Sequence, residues 1–144
     1  MKKFFTQNSS GARCQSALSL LTFLSLLFLF GCEKEKVTVL YGTVTDKNKQ
    51  PVDSILVIVE GVQFTKYTHL GEALTDENGA YSITITSRKY SVVDIIIPFW
   101  PTQNPKYMRD YDSFFVTKND VKTNNCCTAT AGKKTKYDFE LISK

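Results

Sequence analysis

Short segments in which apolar and polar residues alternate follow one another from Val37 to the end of the chain. No window in this region shows the roughly 3.6-residue period of an amphipathic helix over three turns, so the pattern predicts β-strands. Turn-forming residues separate the segments, and the Asn78-Gly79 pair favours a tight hairpin. Seven short strands at this spacing predict one all-β domain over residues 37–144, an immunoglobulin-like sandwich of two sheets. The predicted strands span 40–44, 55–59, 73–75, 81–85, 90–97, 114–117 and 137–141.

Two of these strands differ in how their apolar residues are arranged, which predicts different positions in the sheets. The first strand places Leu40, Gly42 and Val44 on one face, as expected when one side faces the core. The second strand, from Ile55 to Val59, is apolar on both faces, which is typical of a central strand covered on each side.

An apolar run of 13 residues, 18–30, precedes the predicted domain and follows a polar, positively charged stretch. As a helix at about 1.5 Å per residue it would cover roughly 20 Å, short of the ~30 Å hydrocarbon core of a bilayer. Charged residues at 33–36 follow directly and prevent a longer span. The arrangement predicts a cleaved secretory signal peptide.

The junction after the apolar run reads Leu29-Phe-Gly-Cys32 and resembles the lipobox of bacterial lipoproteins. The resemblance implies that the Cys32 thiol receives a diacylglyceryl group and that residues 1–31 are removed. It also implies that the new amino terminus is acylated, for example with palmitate. The alternative is a plain secretory signal with an incidental cysteine. Two or more acyl chains hold a protein stably on a membrane, so we expect permanent attachment.

The charged residues 33–36, Glu-Lys-Glu-Lys, follow the predicted lipidated Cys32. They are similar to the short charged tags that send lipoproteins of some Gram-negative bacteria to the outer face of the outer membrane. A solvated tether between lipid and domain is the alternative for residues 32–36. We therefore expect an outer-membrane protein at the cell surface, with the periplasmic face as the alternative.

The formal net charge of +4 does not describe the mature chain. Lys2, Lys3 and Arg13 lie in the predicted signal, so residues 32–144 are nearly neutral. A chain without a basic excess has no electrostatic footprint for nucleic acid, and we expect no nucleic-acid partner.

Two stretches of the predicted domain carry a family pattern. Gly42-Thr-Val-Thr-Asp46 is followed by Pro51 and the strand through Val59, and Thr75-Asp-Glu-Asn-Gly-Ala-Tyr-Ser-Ile83 comes next. Together they resemble the carboxypeptidase regulatory-like domain of the transthyretin-like sandwich class, over about residues 38–97 and the last strand. Residues 98–135 show no pattern of this family. The resemblance implies a transthyretin-like fold for residues 37–144 and implies no activity.

Candidate residues for catalysis or metal binding are few. His69 is the only histidine in the chain, and a solvated loop position is the ordinary interpretation, with a ligand or general base as the alternative. Asp76-Glu-Asn-Gly79 resembles the start of a calcium loop, but the distal glutamate of such a loop is missing, which favours a hairpin turn. We expect no metal site and no cofactor, and we assign no catalytic residue.

Two cysteines remain for disulfide chemistry, because Cys14 leaves with the signal and Cys32 carries lipid. Cys126 and Cys127 are adjacent, and neighbouring Cα atoms lie about 3.8 Å apart, below the usual range of roughly 4.4–6.8 Å for a disulfide. A vicinal disulfide here would be strained and comparatively reducible. Reduced thiols, an intermolecular bond and a redox role remain alternatives.

An aromatic segment, residues 98–111, holds the only tryptophan and three of the four prolines. Phe99, Trp100, Tyr107 and Tyr111 are candidates for a surface that stacks on a sugar ring or a partner peptide. The alternative is that these rings fold back and cap one open end of the sandwich.

Three functions are compatible with these observations. The first is a non-catalytic binding or assembly module, anchored to the membrane by lipid, with a polysaccharide, a peptide or another envelope protein as its partner. The second is a small hydrolase that uses His69 with a nearby carboxylate, and the third is a structural spacer in the cell envelope. Domains of this resemblance often serve as accessory units, which favours the first.

Overall fold

The chain forms nine β-strands and one short helix over the residues that this computed structural model describes, 34–124 and 126–144. The strands are β1 (Lys36–Asp46), β2 (Leu56–Gln63), β3 (Lys66–Leu74), β4 (Ala80–Ser87), β5 (Val92–Ile96), β6 (Tyr111–Lys118), β7 (Val121–Thr123), β8 (Thr128–Thr130) and β9 (Lys134–Ser143), and the helix is α1 (Pro105–Asp110). The predicted signal, residues 1–31, and the predicted lipidation site, Cys32, lie outside the described residues.

The predicted all-β domain with two sheets is confirmed, whereas the predicted number of seven strands is wrong. The additional strands, β7 and β8, have 3 residues each. Alternation cannot be recognised over so short a length, and both strands lie in the region without a sequence pattern. The strand predicted at 73–75 is longer in the structure and begins at Lys66. Its first residues were missed because β3 is an edge strand with few buried side chains, so its sequence shows little alternation.

The five-stranded sheet has the order β4-β1-β9-β6-β7, and the four-stranded sheet has the order β3-β2-β5-β8. β1 and β9 are parallel, and the other pairings of the described strands are antiparallel. The parallel pair therefore joins the beginning and the end of the domain.

One hydrophobic core lies between the two sheets. β1 alternates as predicted, so that Leu40, Gly42 and Val44 are buried. The prediction for the second strand is correct on one face only. Val57 and Val59 are fully buried, whereas the neighbouring apolar residues of β2 are half-buried on the outer face of the four-stranded sheet. The other large, fully buried side chains are Tyr107, Tyr137, Phe139, Ile55, Ile95, Ile97, Leu141 and Val93.

The turn at residues 76–80 is present, but it does not form a hairpin. Gly79 has a φ of 69°, and the Asp76 carboxylate accepts hydrogen bonds from the N–H groups of Asn78 and Ala80, at 2.9 Å and 2.8 Å. β4 pairs with β1 rather than with β3, so this turn carries the chain from one sheet to the other. The Asp76 side chain organises the turn itself, as expected for an Asx turn.

Candidate functional site

The segment between β5 and α1 folds over the outer face of the four-stranded sheet. The buried Asn104 side chain fixes it, because it accepts a hydrogen bond from the Leu56 N–H at 3.2 Å and donates one to the Leu56 carbonyl at 3.1 Å. The N–H groups of Gln103 and Asn104 both donate to the Trp100 carbonyl. Trp100 is thereby held at the start of a tight turn anchored to β2.

The four aromatic residues singled out in the sequence occupy two different environments. Tyr107 is 1% exposed and belongs to the core, with its ring 6.3 Å from that of Tyr111 and 5.7 Å from that of Phe99. Phe99 is 54% exposed and stacks on Phe114. Trp100 is 69% exposed. Capping therefore describes Tyr107, whereas Trp100 presents its ring to solvent.

An open groove of about 490 Å³ lies between Trp100 and the outer face of the four-stranded sheet. Strands β2, β3 and β5 form its floor, and the segment before α1 forms one wall. Its lining residues are Ile58, Glu60, His69, Glu72, Ile96, Pro98, Phe99, Trp100 and Gln103.

His69 lines this groove together with two glutamates. An extra residue in β3, Leu70, shifts the register so that His69 lies opposite Glu60. The His69 Nε2 lies 3.6 Å from the Glu72 carboxylate. The side chains of His69 and Glu72 are both more than half exposed. The structure thus brings together Trp100 and His69, which the sequence offered only as separate candidates 31 positions apart.

The groove combines an aromatic face, two carboxylates and an amide, and this set determines what it can bind. Carboxylate oxygens accept hydrogen bonds from hydroxyl or amine groups, and the Gln103 amide both donates and accepts. An exposed indole offers a flat apolar surface for stacking. Glu60 and Glu72 were missed from the sequence, because only the pairing of strands brings them to the groove. Gln103 was missed because its place beside Trp100 depends on the turn between them.

A second, smaller cavity of about 270 Å³ adjoins Phe99. It is lined by Asp94, Ile95, Ile96, Phe99, Phe114, Cys126 and Cys127. The sulfur atoms of the adjacent Cys126 and Cys127 lie side by side. Cys127 is buried and its carbonyl accepts a hydrogen bond from the Ile95 N–H at 3.0 Å, which ties this segment to β5.

Asp94 in this cavity carries a carboxyl oxygen, Oδ1, that is buried and has no hydrogen-bond partner among the described residues. It also lies directly opposite Glu60 on the neighbouring strand, where two like charges destabilise the sheet. Burial raises the pKa of the Asp94 carboxyl above its usual value. Because the folded state favours the protonated form, Asp94 lowers the stability of the domain as the pH rises through the raised pKa.

Asp94→Asn is therefore expected to raise the melting temperature by a few degrees at pH 7 and to leave it nearly unchanged at pH 3, where the carboxyl is protonated. Thermal unfolding followed by circular dichroism at both pH values measures the effect. Asp112→Asn, a change at an exposed position, serves as the control and should shift neither value. A melting temperature that falls at pH 7 would contradict this account of Asp94.

The fold and the groove together define a class, an all-β sandwich with an open, aromatic-walled surface groove. Within the described residues, no helix has the length and hydrophobicity needed to cross a membrane. No group of three histidine, cysteine, aspartate or glutamate residues in the same part of the chain could hold a metal ion. Comparison of the chain with protein-family models, curated proteins and solved structures found no match.

Proposed function

We propose that this protein is a lipid-anchored, non-catalytic binding module of the bacterial outer membrane, held at the cell surface through Cys32. The groove beside Trp100 is its binding site. The single observation that carries the proposal is the 69% exposed Trp100 ring, held by the buried Asn104 at the edge of a groove with two carboxylates. A large apolar side chain that is exposed to solvent and held in one place is typical of a binding surface.

The proposed anchor and fold family are supported by the sequence motifs and by what their residues do in the domain. The residues that resemble a carboxypeptidase regulatory-like domain have structural roles. Gly42 allows the close approach of β1 and β9, Gly79 forms a turn, and the Tyr81 hydroxyl donates a buried hydrogen bond to the Tyr137 carbonyl at 2.6 Å. These residues support the scaffold and carry no chemistry themselves, so the function of the domain is sought in a surface site.

A polysaccharide segment is the ligand that fits the groove best. One face of a sugar ring is apolar and stacks on an indole, while its hydroxyl groups donate to carboxylates such as Glu60 and Glu72. The Gln103 amide can either accept a hydrogen bond from a sugar hydroxyl or donate one to it. Peptides and envelope proteins are the alternative ligands, and a ligand screen separates them.

Trp100→Ala is expected to weaken oligosaccharide binding roughly 30-fold or more, because a stacked aromatic anchor contributes on the order of 2 kcal/mol. The melting temperature should stay nearly unchanged, since the ring is exposed. The measurement is isothermal titration of the mature protein with the oligosaccharides that a panel of soluble glycans identifies, together with thermal unfolding.

Tyr107→Ala is the matched aromatic control in the same segment. It should lower the free energy of unfolding by about 3 kcal/mol or more, because it removes a buried ring. Unchanged affinity in Trp100→Ala would reject the groove as the site, and a panel without any ligand would favour the structural spacer.

A hydrolase is the second candidate, and the pair of His69 and Glu72 in the same groove is the observation that favours it. A carboxylate beside an imidazole orients it as a general base. His69→Gln would then abolish hydrolysis of a bound oligosaccharide and retain its binding. If the protein is a binding module, the wild type is expected to bind the oligosaccharide and release no hydrolysis product.

A further inference from the structure

Basic side chains gather at the end of the sandwich where β1 begins. Four of the segments at this end carry them: residues 34–36, the β2–β3 hairpin, the β4–β5 loop and the β8–β9 turn. Their basic residues are Lys34, Lys36, Lys66, Arg88, Lys89, Lys133 and Lys134. We call this surface the basic end.

Strand pairing brings these segments together from distant parts of the sequence. Lys36 pairs with Ser87, the last residue of β4, and Gly132 of the β8–β9 turn lies against the Lys36 side chain. The Tyr90 ring of the β4–β5 loop packs on Gly61 of β2, so closely that a Cβ there would lie 2.7 Å from it. The basic residues of all four segments therefore share one surface.

Few negative charges offset this surface. The four segments contain one carboxylate, Glu35, which lies 3.2 Å from the Arg88 guanidinium. The β6–β7 turn at the same end adds Asp120, which is paired with Lys136 at 2.7 Å. The opposite end of the sandwich, where β1 ends, carries five acidic residues, Asp46, Asp53, Asp76, Glu77 and Asp110, and five basic ones, Lys47, Lys49, Lys106, Arg109 and Lys144. Positive and negative charges nearly cancel at that opposite end, so the excess of positive charge lies at the basic end.

An exposed aromatic residue projects from the basic end. Phe64, at the tip of the β2–β3 hairpin, is 97% exposed and has a φ of 54°. This left-handed region disfavours a bulky side chain, and the ring gains almost no burial in the domain. Tyr67 of the same hairpin is 56% exposed. Aromatic rings among basic residues are typical of surfaces that meet the headgroup layer of a membrane.

The tether leaves the basic end little distance from the predicted lipid. Lys34 follows Cys32 by two positions, and extended chain spans at most about 3.6 Å per residue, so the two Cα atoms lie within about 7 Å. This is less than the Debye length of roughly 8 Å at physiological ionic strength. The charge of Lys34 is therefore poorly screened from the lipid headgroups.

We propose that the basic end docks on an anionic phospholipid surface, with the Phe64 ring at the level of the headgroups. Val92 starts β5 at the basic end and the Trp100 segment follows the other end of β5, so docking points the Trp100 loop away from the bilayer. The inference rests on the proposed lipid anchor at Cys32. Its chemistry is the attraction between lysine or arginine side chains and lipid phosphates.

Quenching of a single tryptophan by lipids with brominated acyl chains tests the proposal. Trp100 is the only tryptophan, so the lipidated wild type reports on the groove, and the double variant Phe64→Trp, Trp100→Phe reports on the hairpin tip. Both proteins are reconstituted into vesicles of phosphatidylcholine, with or without phosphatidylglycerol. We expect strong quenching at position 64 only in the anionic vesicles and little quenching of Trp100. Salt at about 0.5 M, roughly threefold above physiological, shortens screening to a few Å and should reduce the quenching at position 64.

Charge reversal supplies matched controls. Each lysine near an anionic surface favours docking about fivefold, so Lys66→Glu with Lys89→Glu should weaken docking on the order of 25-fold or more. Lys47→Glu with Lys144→Glu makes the same charge change away from the basic end and should have no effect. Equal quenching at position 64 in both lipids, or equal quenching of Trp100, overturns the docking proposal. Failure of the wild type to float with either kind of vesicle instead overturns the anchor itself.

Discussion

Gly42→Ala is expected to lower the melting temperature by roughly 10 °C or more, or to prevent folding altogether. A Cβ on Gly42 would overlap the backbone carbonyl oxygen of Tyr137 and lie 2.6 Å from its carbonyl carbon. That carbonyl also accepts the buried hydrogen bond of the Tyr81 hydroxyl. Beside it, the Asp138 carboxylate accepts a hydrogen bond from the Thr43 N–H at 2.9 Å. The added methyl group would therefore force apart the parallel pair β1 and β9.

Gly71→Ala provides the control for this prediction. Its Cβ would meet only side-chain methyl groups, 3.1 Å from Ile83 and 3.2 Å from Ile85, and side chains can move where a paired backbone cannot. We expect a loss of less than about 1 kcal/mol. Thermal and urea unfolding of the two variants measure the difference, and a Gly42→Ala protein as stable as Gly71→Ala would disprove the close approach of β1 and β9.

Cys32→Ala is expected to abolish lipid labelling and to move the whole population of the protein out of the membrane fraction. The reason is that the proposed attachment is covalent and uses acyl chains, each of which contributes about 0.8 kcal/mol per buried methylene. The measurement is labelling of growing cells with a fatty-acid analogue, followed by fractionation and immunoblotting.

Cys126→Ala is the matched control, because it removes a thiol from the domain and leaves the lipobox unchanged. It should be labelled like the wild type. Labelling that persists in Cys32→Ala would end the lipoprotein hypothesis, and a wild type without label would favour the plain secretory signal. Protease treatment of intact cells then separates the cell-surface location from the periplasmic one.

The sequence by itself determined the class of the domain and the approximate location of most of its strands. β1 and β9 alternate with a period of two, and β2 is a continuous apolar run. Both are local patterns, so each can be recognised without knowing the partner strand. Edge strand β3 and the short β7 and β8 bury too few side chains for such a signal. The sequence predicted that both faces of β2 are buried, but only one is. Nothing in the local pattern shows which face of the strand meets the other sheet.

Only the tertiary structure decided which surface residues act together. Trp100 and His69 come to one groove because the segment after β5 folds back over β2 and β3. Tyr107 and Trp100 look alike in the sequence, yet one is buried and the other exposed, since Asn104 fixes the turn between them. The near-zero net charge of residues 32–144 likewise says nothing about where the charges lie. Strand pairing places lysines from four separate segments at the same end, and a sum over residues carries no information about position.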